Sequence, residues 1–179
     1  MWIFGHASLI WNPEFEYEDR VAGYVKGYTR RMWGKSTRFR GTHENPGRAA
    51  VLIEDPQGIT WGVAYEIKDE NKDKVFEKLQ SREQRPPFPL TFYPHTENST
   101  PIDVLSYIVI NEANRHIHSS YIGPEDTETT AKLIATAIGP TGLRNDDYLF
   151  KLGDFLREVP SADDPYIFEL ETLVKKYQS

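Results

Sequence analysis

The spacing of apolar and polar residues predicts strands in the first two-thirds of the chain and helices mostly after them. Alternating or short continuous apolar segments predict about six strands. These strands cover residues 1–5, 22–33, 48–54, 60–67, 89–93 and 102–110. The third and fourth strands are predicted to form a hairpin, because Asp55-Pro56-Gln57-Gly58 between them has the residues of a turn.

Helical spacing interrupts the strands once and then dominates the end of the chain. One helix is predicted over residues 69–83, where Val75, Phe76 and Leu79 recur on one face. Three more are predicted from Glu125 to Gly139-Pro140, across residues 145–159, and from Asp164 to Lys176. Strands followed by helices are typical of an α+β domain. We therefore expect a small mixed β-barrel or sheet packed by helices.

Length and composition support one globular domain over residues 1–179. The chain has 179 residues, 39% of them hydrophobic, and no Gly- or Ser-rich linker divides it. It contains no cysteine, which excludes a disulfide scaffold, a thiolate metal site and a cysteine nucleophile. The composition therefore favours a protein that folds around its own apolar core.

Charge and hydropathy exclude several classes of partner. The net charge of −6 opposes general attraction to nucleic acid or to anionic lipid. No segment reaches the roughly 20 apolar residues of a membrane span, and the first residues lack the pattern of a secretory signal. We expect a cytoplasmic protein with no nucleic-acid or membrane partner, and the sequence leaves its oligomeric state open.

Glu83 is a candidate for acid-base chemistry at the end of the first predicted helix. If its side chain points inward, burial and the negative end of the helix dipole would both raise its pKa, while the nearby Arg82 and Arg85 would lower it. A raised pKa would suit a general acid-base residue. The alternative is an ordinary surface ion pair.

The opening segment MWIFGHASLIW interrupts an apolar run with Gly5, His6, Ala7 and Ser8. A strand that ends in such residues can curl so that successive backbone N–H groups converge on an anion. The alternative is a tight bend at a sheet corner. The segment lacks the later glycines of a dinucleotide-binding motif and does not lead into a helix.

Two further groups of residues have both a functional and a structural interpretation. Arg40 lies in the loop of residues 39–48, and its guanidinium could recognise a carboxylate ligand or pair with carboxylates of the chain itself. His116 and His118 form an H-x-H pair, but no third ligand has a recognisable spacing, so a solvated loop explains them better than a metal site.

Several motifs together resemble one known family. IFGHASLIW resembles the FGYGSLIW opening of the ChaC family of glutathione-specific gamma-glutamylcyclotransferases. The resemblance continues in order through nearly the whole chain. It includes GYTRRMWGKSTRFRG, NPGR at 45–48, VLIEDPQGITWGVAYEI at 51–67, REQ at 82–84, YIGP at 121–124 and IGPTGLRNDDYLF at 138–150.

The resemblance implies a cofactor-free and metal-free cytosolic enzyme whose substrate is a small molecule. The family cleaves glutathione to 5-oxoproline and Cys-Gly. In this reaction the substrate's own α-amino group attacks its γ-glutamyl carbonyl. Matching REQ makes Glu83 the acid-base residue, and Tyr148 would line the pocket. The backbone of the opening turn would bind the γ-glutamyl group through the residues Ile3, Phe4, Gly5, His6, Ala7, Ser8 and Leu9.

The sequence departs from the family pattern within the expected site. His6 and Ala7 stand where the family has tyrosine and glycine, and Arg85-Pro86-Pro87-Phe88 replaces a flexible Gly-Gly-Tyr. If Ala7 needed a positive φ, its methyl group would cost about 1 kcal/mol. Two alternatives to activity on glutathione stay open at this point: another gamma-glutamyl substrate, and a catalytically impaired homologue that binds a ligand or a protein partner.

Overall fold

The computed structural model describes residues 1–179, in six strands and four α-helices. The strands are β1 (Trp2–Gly5), β2 (Asp19–Ser36), β3 (Gly47–Glu66), β4 (Phe88–Pro94), β5 (Ile102–Ser106) and β6 (Val109–Ile110). The helices are α1 (Lys72–Glu83), α2 (Thr127–Thr136), α3 (Asn145–Glu158) and α4 (Pro165–Gln178). Short 3-10 helices cover Ser8–Ile10, Asp69–Asn71 and Arg115–Ile117. No α-helix is both long and apolar enough to cross a membrane.

The six strands form one mixed sheet in the order β1-β5-β4-β2-β3-β6. Strand β1 also pairs with β3, antiparallel, with Trp2 opposite Glu66 and Gly5 opposite Val63. It runs parallel to β5, with Ile3 opposite Leu105. The β1–β3 pairing closes five strands into a barrel and leaves β6 as an extra strand beside β3. The predicted α+β class with a small mixed barrel is confirmed.

The contacts within the chain divide it into two compact units, so the single-domain organisation stays a prediction. The first unit contains residues 1–29 and 52–109, and the second contains residues 30–51 and 110–179. Long strands β2 and β3 contribute to both units. In the first unit, a buried cluster comprises Phe4, Val25, Leu52, Ala64, Phe92, Val104 and Val109. Helix α1 belongs to this unit and buries Val75 and Leu79.

The predicted hairpin turn at Asp55-Pro56-Gln57-Gly58 is wrong, because β3 continues through it. Asp55 accepts a hydrogen bond from the Thr29 hydroxyl at 2.8 Å, which holds this part of β3 against β2. Gly58 is needed there for close approach: a Cβ would lie 2.5 Å from the Tyr28 carbonyl oxygen. The turn-like residues therefore serve strand pairing.

The predicted strand over residues 102–110 is divided in two by Tyr107 and Ile108. Ile108 has a φ of 58°, a left-handed conformation that is a strained exception for a β-branched residue. Its carbonyl accepts a hydrogen bond from the Leu52 backbone N–H at 3.0 Å. The six predicted and six observed strands therefore agree in number but not in every boundary.

The second unit contains helices α2, α3 and α4, which pack against one another. Their apolar faces bury residues that include Ile134, Leu149, Leu152, Leu170 and Val174. Asp164 caps the start of α4 by accepting a hydrogen bond from the Ile167 N–H, and it also binds Arg30 of β2. The three helices predicted after the strands are all present.

Candidate active site

The opening turn begins where β1 ends at Gly5. The chain bends through His6 and Ala7 and enters the short 3-10 helix Ser8–Ile10. A Cβ on Gly5 would lie 2.8 Å from the Leu9 Cβ, so a larger residue at this position would push the two sides of the bend apart. The interruption seen in the sequence is thus a compact turn at the end of the first strand.

This turn leaves three successive backbone N–H groups without a hydrogen-bond partner in the chain. They belong to Ala7, Ser8 and Leu9, whereas the next N–H groups are used: Ile10 donates to the Ala7 carbonyl and Asn12 to the Ser8 carbonyl, both at 2.8 Å. Successive free N–H groups in a bend are suited to bind a carboxylate. Ala7 has a φ of −150°, so its methyl group causes no left-handed strain.

The carbonyl groups on the other side of the turn are held by side chains. The Tyr65 hydroxyl lies 2.7 Å from the Leu9 carbonyl oxygen and 2.9 Å from that of Ile10. Arg20 donates a further hydrogen bond to the Ile10 carbonyl at 3.3 Å. Because a carbonyl shares its peptide plane with the N–H of the next residue, these contacts orient the N–H groups of Ile10 and Trp11, directly after the free N–H groups.

Glu83 is the last residue of α1 and points into a largely enclosed environment. Its side chain is 20% exposed. Burial raises the pKa of the Glu83 carboxyl, and the positive charge of Arg82 opposes this rise without cancelling it. The inward orientation and the raised pKa match the expectation for a general acid-base residue.

Tyr107 lies near both Glu83 and His6, and no motif or spacing in the sequence pointed to it. The buried His6 ring places Nε2 3.3 Å from the Tyr107 carbonyl oxygen, and Nε2 must carry the proton in this contact because a carbonyl only accepts. Burial, and secondarily the charge of Glu83, raise the pKa of the Tyr107 phenol. The left-handed backbone at Ile108 directly follows this residue.

Not every residue of the opening segment offers a side chain to a ligand. Ile3 and Phe4 are fully buried, and Phe4 belongs to the barrel core. Leu9 is also buried. For these residues the predicted role in binding can fall only to the backbone.

Tyr148 and Arg40 lie in the second unit, each with partners there. Tyr148 is buried, and its hydroxyl oxygen accepts a hydrogen bond from the Ala50 backbone N–H at 2.9 Å. Arg40 Nη1 donates to the Arg144 carbonyl at 2.8 Å and lies 3.3 Å from Asp147 Oδ2. Both residues thus have structural partners, and their roles toward a substrate stay predictions.

The structural role of Tyr148 leads to a prediction about stability. Tyr148→Phe leaves the Ala50 N–H without its acceptor in a buried position, which costs about 1–3 kcal/mol. Urea unfolding of the variant is expected to show this loss. A variant as stable as the wild type would contradict the importance of this hydrogen bond.

The remaining arginine of the 39–48 loop, Arg48, pairs with a carboxylate as the structural interpretation predicts. Its Nε and Nη2 each donate to a Glu125 oxygen at 3.0 Å. Burial alone would raise the pKa of Glu125, but hydrogen bonds from Arg48 and Thr130, together with the Arg48 charge, hold it below its usual value. This bidentate pair occupies the Arg48 guanidinium.

The two histidines of the H-x-H pair lie at a short 3-10 helix. His116 is within Arg115–Ile117 and His118 follows it. No group of three or more His, Asp or Glu side chains in the chain is arranged to hold a metal ion.

Comparison with known proteins identifies relatives over the whole chain. A family model described as "ChaC-like protein" matches residues 1–177. A protein of Danio rerio called glutathione-specific gamma-glutamylcyclotransferase 1 is 38% identical over 176 residues, covering 96% of this chain and 87% of the relative. The Homo sapiens protein of the same name is 37% identical over 172 residues, covering 93% of this chain and 75% of the relative.

A solved structure gives the same result for the fold. The crystal structure of a gamma-glutamylcyclotransferase specific to glutathione from yeast matches with a TM-score of 0.86 and 29% identity, covering 100% of this chain and 99% of that chain. The first unit thus contains a largely enclosed carboxyl group and a turn with free N–H groups, and the relatives of the chain are named for one reaction. On this basis the chain belongs to the ChaC-like protein family.

Proposed function

We propose that this protein cleaves glutathione by intramolecular cyclisation, giving 5-oxoproline and Cys-Gly. The observation that carries the proposal is the largely enclosed Glu83 carboxyl, whose pKa is raised, in the same compact unit as the free N–H groups of Ala7, Ser8 and Leu9. Relatives from fish and human that carry the glutathione-specific name support the choice of substrate.

The opening turn would bind the α-carboxylate of the γ-glutamyl group. The N–H groups of Ala7, Ser8 and Leu9 offer three donors without requiring a basic side chain. Holding this end of the substrate would bring its amino nitrogen toward its own γ-carbonyl carbon. Such orientation accounts for much of the rate in a reaction whose nucleophile and electrophile share one molecule.

Glu83 would transfer the protons that the reaction moves. Its carboxylate accepts a proton from the substrate's α-ammonium group, and the freed amine attacks the γ-carbonyl carbon. A new C–N bond closes the five-membered ring, and the bond to the cysteine nitrogen breaks. Glu83 returns this proton to the departing nitrogen, and the second proton, which the ring nitrogen loses as it becomes an amide, follows the same route, so Cys-Gly leaves as an ammonium and the reaction consumes no water.

The pH dependence follows from the direction of the Glu83 pKa. Because the reactive form is the carboxylate, kcat/KM is expected to fall as the pH drops through the Glu83 pKa. This fall is the acidic limb of the pH profile. Because burial raises the pKa of Glu83, the limb should lie above roughly pH 4.3, the pKa of an ordinary glutamate. A pH series of kcat/KM with glutathione checks this, and an acidic limb at or below the ordinary value would contradict it.

The experiment that tests the function also separates it from ligand binding without turnover. Purified protein is incubated with glutathione, and Cys-Gly and 5-oxoproline are quantified while the melting temperature is measured in parallel. The proposed enzyme produces both compounds. A rise in melting temperature with glutathione intact would instead favour a catalytically impaired homologue, and turnover of other gamma-glutamyl compounds alone would change the substrate.

The conformation of Ala7 is compatible with ligand binding by the opening turn. Its negative φ shows that the turn forms with alanine in the position where the family has glycine. We further propose that the enzyme works in the cytoplasm on a small-molecule substrate and without a nucleic-acid partner, in keeping with its net charge of −6.

A further inference from the structure

Arg82, next to the proposed catalytic glutamate, joins the end of α1 to the opening segment. Its Nη2 donates to the Ser8 hydroxyl at 2.7 Å, and its Nη1 donates to the Asn12 carbonyl at 2.7 Å and to the Glu14 carboxylate at 3.0 Å. Its Nε lies 3.6 Å from Glu83 Oε1. The side chain is only 15% exposed although it carries a full charge.

These contacts reach both parts of the proposed site at once. Ser8 is one of the three residues with a free N–H, and the Asn12 N–H donates to the Ser8 carbonyl. Arg82 thus holds both sides of that short hydrogen-bonded loop. A guanidinium is planar and directs its donors in fixed directions, so its partners are held at fixed positions relative to α1.

We propose that Arg82 is a positioning residue that fixes the N–H groups of the opening turn relative to the Glu83 carboxylate. The inference rests on the proposed function and deepens it. Arg82 need not touch the substrate, because it acts through Ser8 and Asn12. Since Arg82 directly precedes Glu83 in the chain, one side chain contacts the opening turn and lies beside the catalytic carboxyl.

Two substitutions separate the geometric effect of Arg82 from its charge. Arg82→Lys keeps the positive charge beside Glu83, but a single ammonium cannot reproduce the fork that reaches Ser8 and Asn12 together. Arg82→Met removes both the fork and the charge. Since the charge of Arg82 lowers the pKa of Glu83, only the Met variant should move the acidic limb of the pH profile upward.

A residue of the same helix provides the matched control. Lys78, one turn earlier in α1, donates to the Glu14 carbonyl at 2.9 Å and so also contacts the opening segment. Its contact lies beyond the turn that carries the free N–H groups. Lys78→Met removes a cation and a contact from the same helix, and we expect kcat and KM within about twofold of the wild type, the range of an exposed surface contact.

The expected results concern kinetics and amide exchange. Arg82→Lys should lower kcat/KM by about 10- to 100-fold, the scale of a displacement near 1 Å in a site of this kind, with an unchanged acidic limb. Arg82→Met should lose at least as much and shift the limb upward. In both variants, backbone amides of residues 5–12 should exchange with heavy water faster than in the wild type and in Lys78→Met.

Amide exchange keeps this test separate from the test of the function. If the wild type does not cleave glutathione, the proposed function fails, while faster exchange of residues 5–12 in Arg82→Lys would still support the positioning role. Wild-type kinetics in Arg82→Lys would overturn the inference. Unchanged exchange of residues 5–12 in that variant would overturn it as well, as would a loss of activity that only follows a loss of folded protein.

Discussion

Replacing Glu83 with glutamine is expected to lower kcat for glutathione cleavage by about 10²- to 10⁴-fold, the usual contribution of a general acid-base residue. Glutamine has nearly the same shape as glutamate, so it preserves the end of α1 and the surroundings of Tyr107. It cannot accept the substrate's proton. Steady-state assay of Cys-Gly release by wild type and variant measures the effect.

The fold should survive this substitution, which separates loss of chemistry from loss of structure. Burial raises the pKa of Glu83, so the charged carboxylate is less favourable in the folded chain than in the unfolded one. Its contribution to stability therefore falls as pH rises from the unfolded-state pKa through the folded-state pKa. At neutral pH we expect Glu83→Gln to melt no lower than the wild type.

An exposed glutamate on the same helix provides the control for Glu83→Gln. Glu77 lies in α1 with its side chain in solvent, and Glu77→Gln should leave kcat within about twofold, since exposed charges rarely contribute more. Equal rates in wild type and Glu83→Gln would remove Glu83 from the mechanism. Equal losses in both variants would point to the charge of the helix and not to Glu83.

Asp164→Ala is expected to cause the largest loss of stability among the substitutions considered, about 3–5 kcal/mol. Arg30 has no exposed side-chain surface, and its Nε and Nη2 donate to Asp164 Oδ2 at 3.1 and 2.9 Å. Alanine removes the carboxylate from this buried guanidinium. It also removes the cap that accepts the Ile167 N–H at the start of α4.

Two further variants divide this loss into its causes. Asp164→Asn keeps an oxygen able to cap α4 but removes the negative charge, so it should recover about 1 kcal/mol, the usual value of a cap. Asp163→Ala changes the exposed neighbouring aspartate and should alter the free energy of unfolding by less than about 0.5 kcal/mol. Urea unfolding measures all three. Equal stability of Asp164→Ala and Asp163→Ala would contradict the role of the buried ion pair.

The sequence predicted the elements well where periodicity alone decides them. Helices α1, α3 and α4 lie within a few residues of the predicted spans because their apolar spacing and their end signals agree. The hairpin prediction failed at Asp55-Pro56-Gln57-Gly58, where side-chain bonding to Thr29 and close packing on Tyr28 override the turn preference of these residues. Such tertiary contacts cannot be read from local sequence.

The candidate site residues come chiefly from motifs and not from spacing, and their roles toward a substrate stay predictions. The resemblance selected Glu83, and the physical argument correctly gave the direction of its pKa once its side chain is buried. No sequence pattern singles out Tyr107, because it lies inside an apolar run that predicts one uninterrupted strand. The strand ends at this point because Ile108 adopts a left-handed backbone conformation, which its local sequence does not predict.

The backbone of the opening turn answers the question of strain that Ala7 raises in the sequence. Ala7 raised the question of left-handed strain, and its φ of −150° shows that the turn does not require it. His6 is buried and its ring contacts the Tyr107 carbonyl, so this substitution is accommodated within the first unit. The two departures from the family pattern are therefore compatible with an intact turn.

The intramolecular nature of the reaction can be tested directly by incubating the wild-type protein with glutathione in water enriched in heavy oxygen and analysing the products by mass spectrometry. Cyclisation predicts equal amounts of 5-oxoproline and Cys-Gly, with no heavy oxygen in either, because the attacking atom is the substrate's own nitrogen. Glutamate carrying heavy oxygen would show hydrolysis by water and contradict the account, as would glutathione that remains intact.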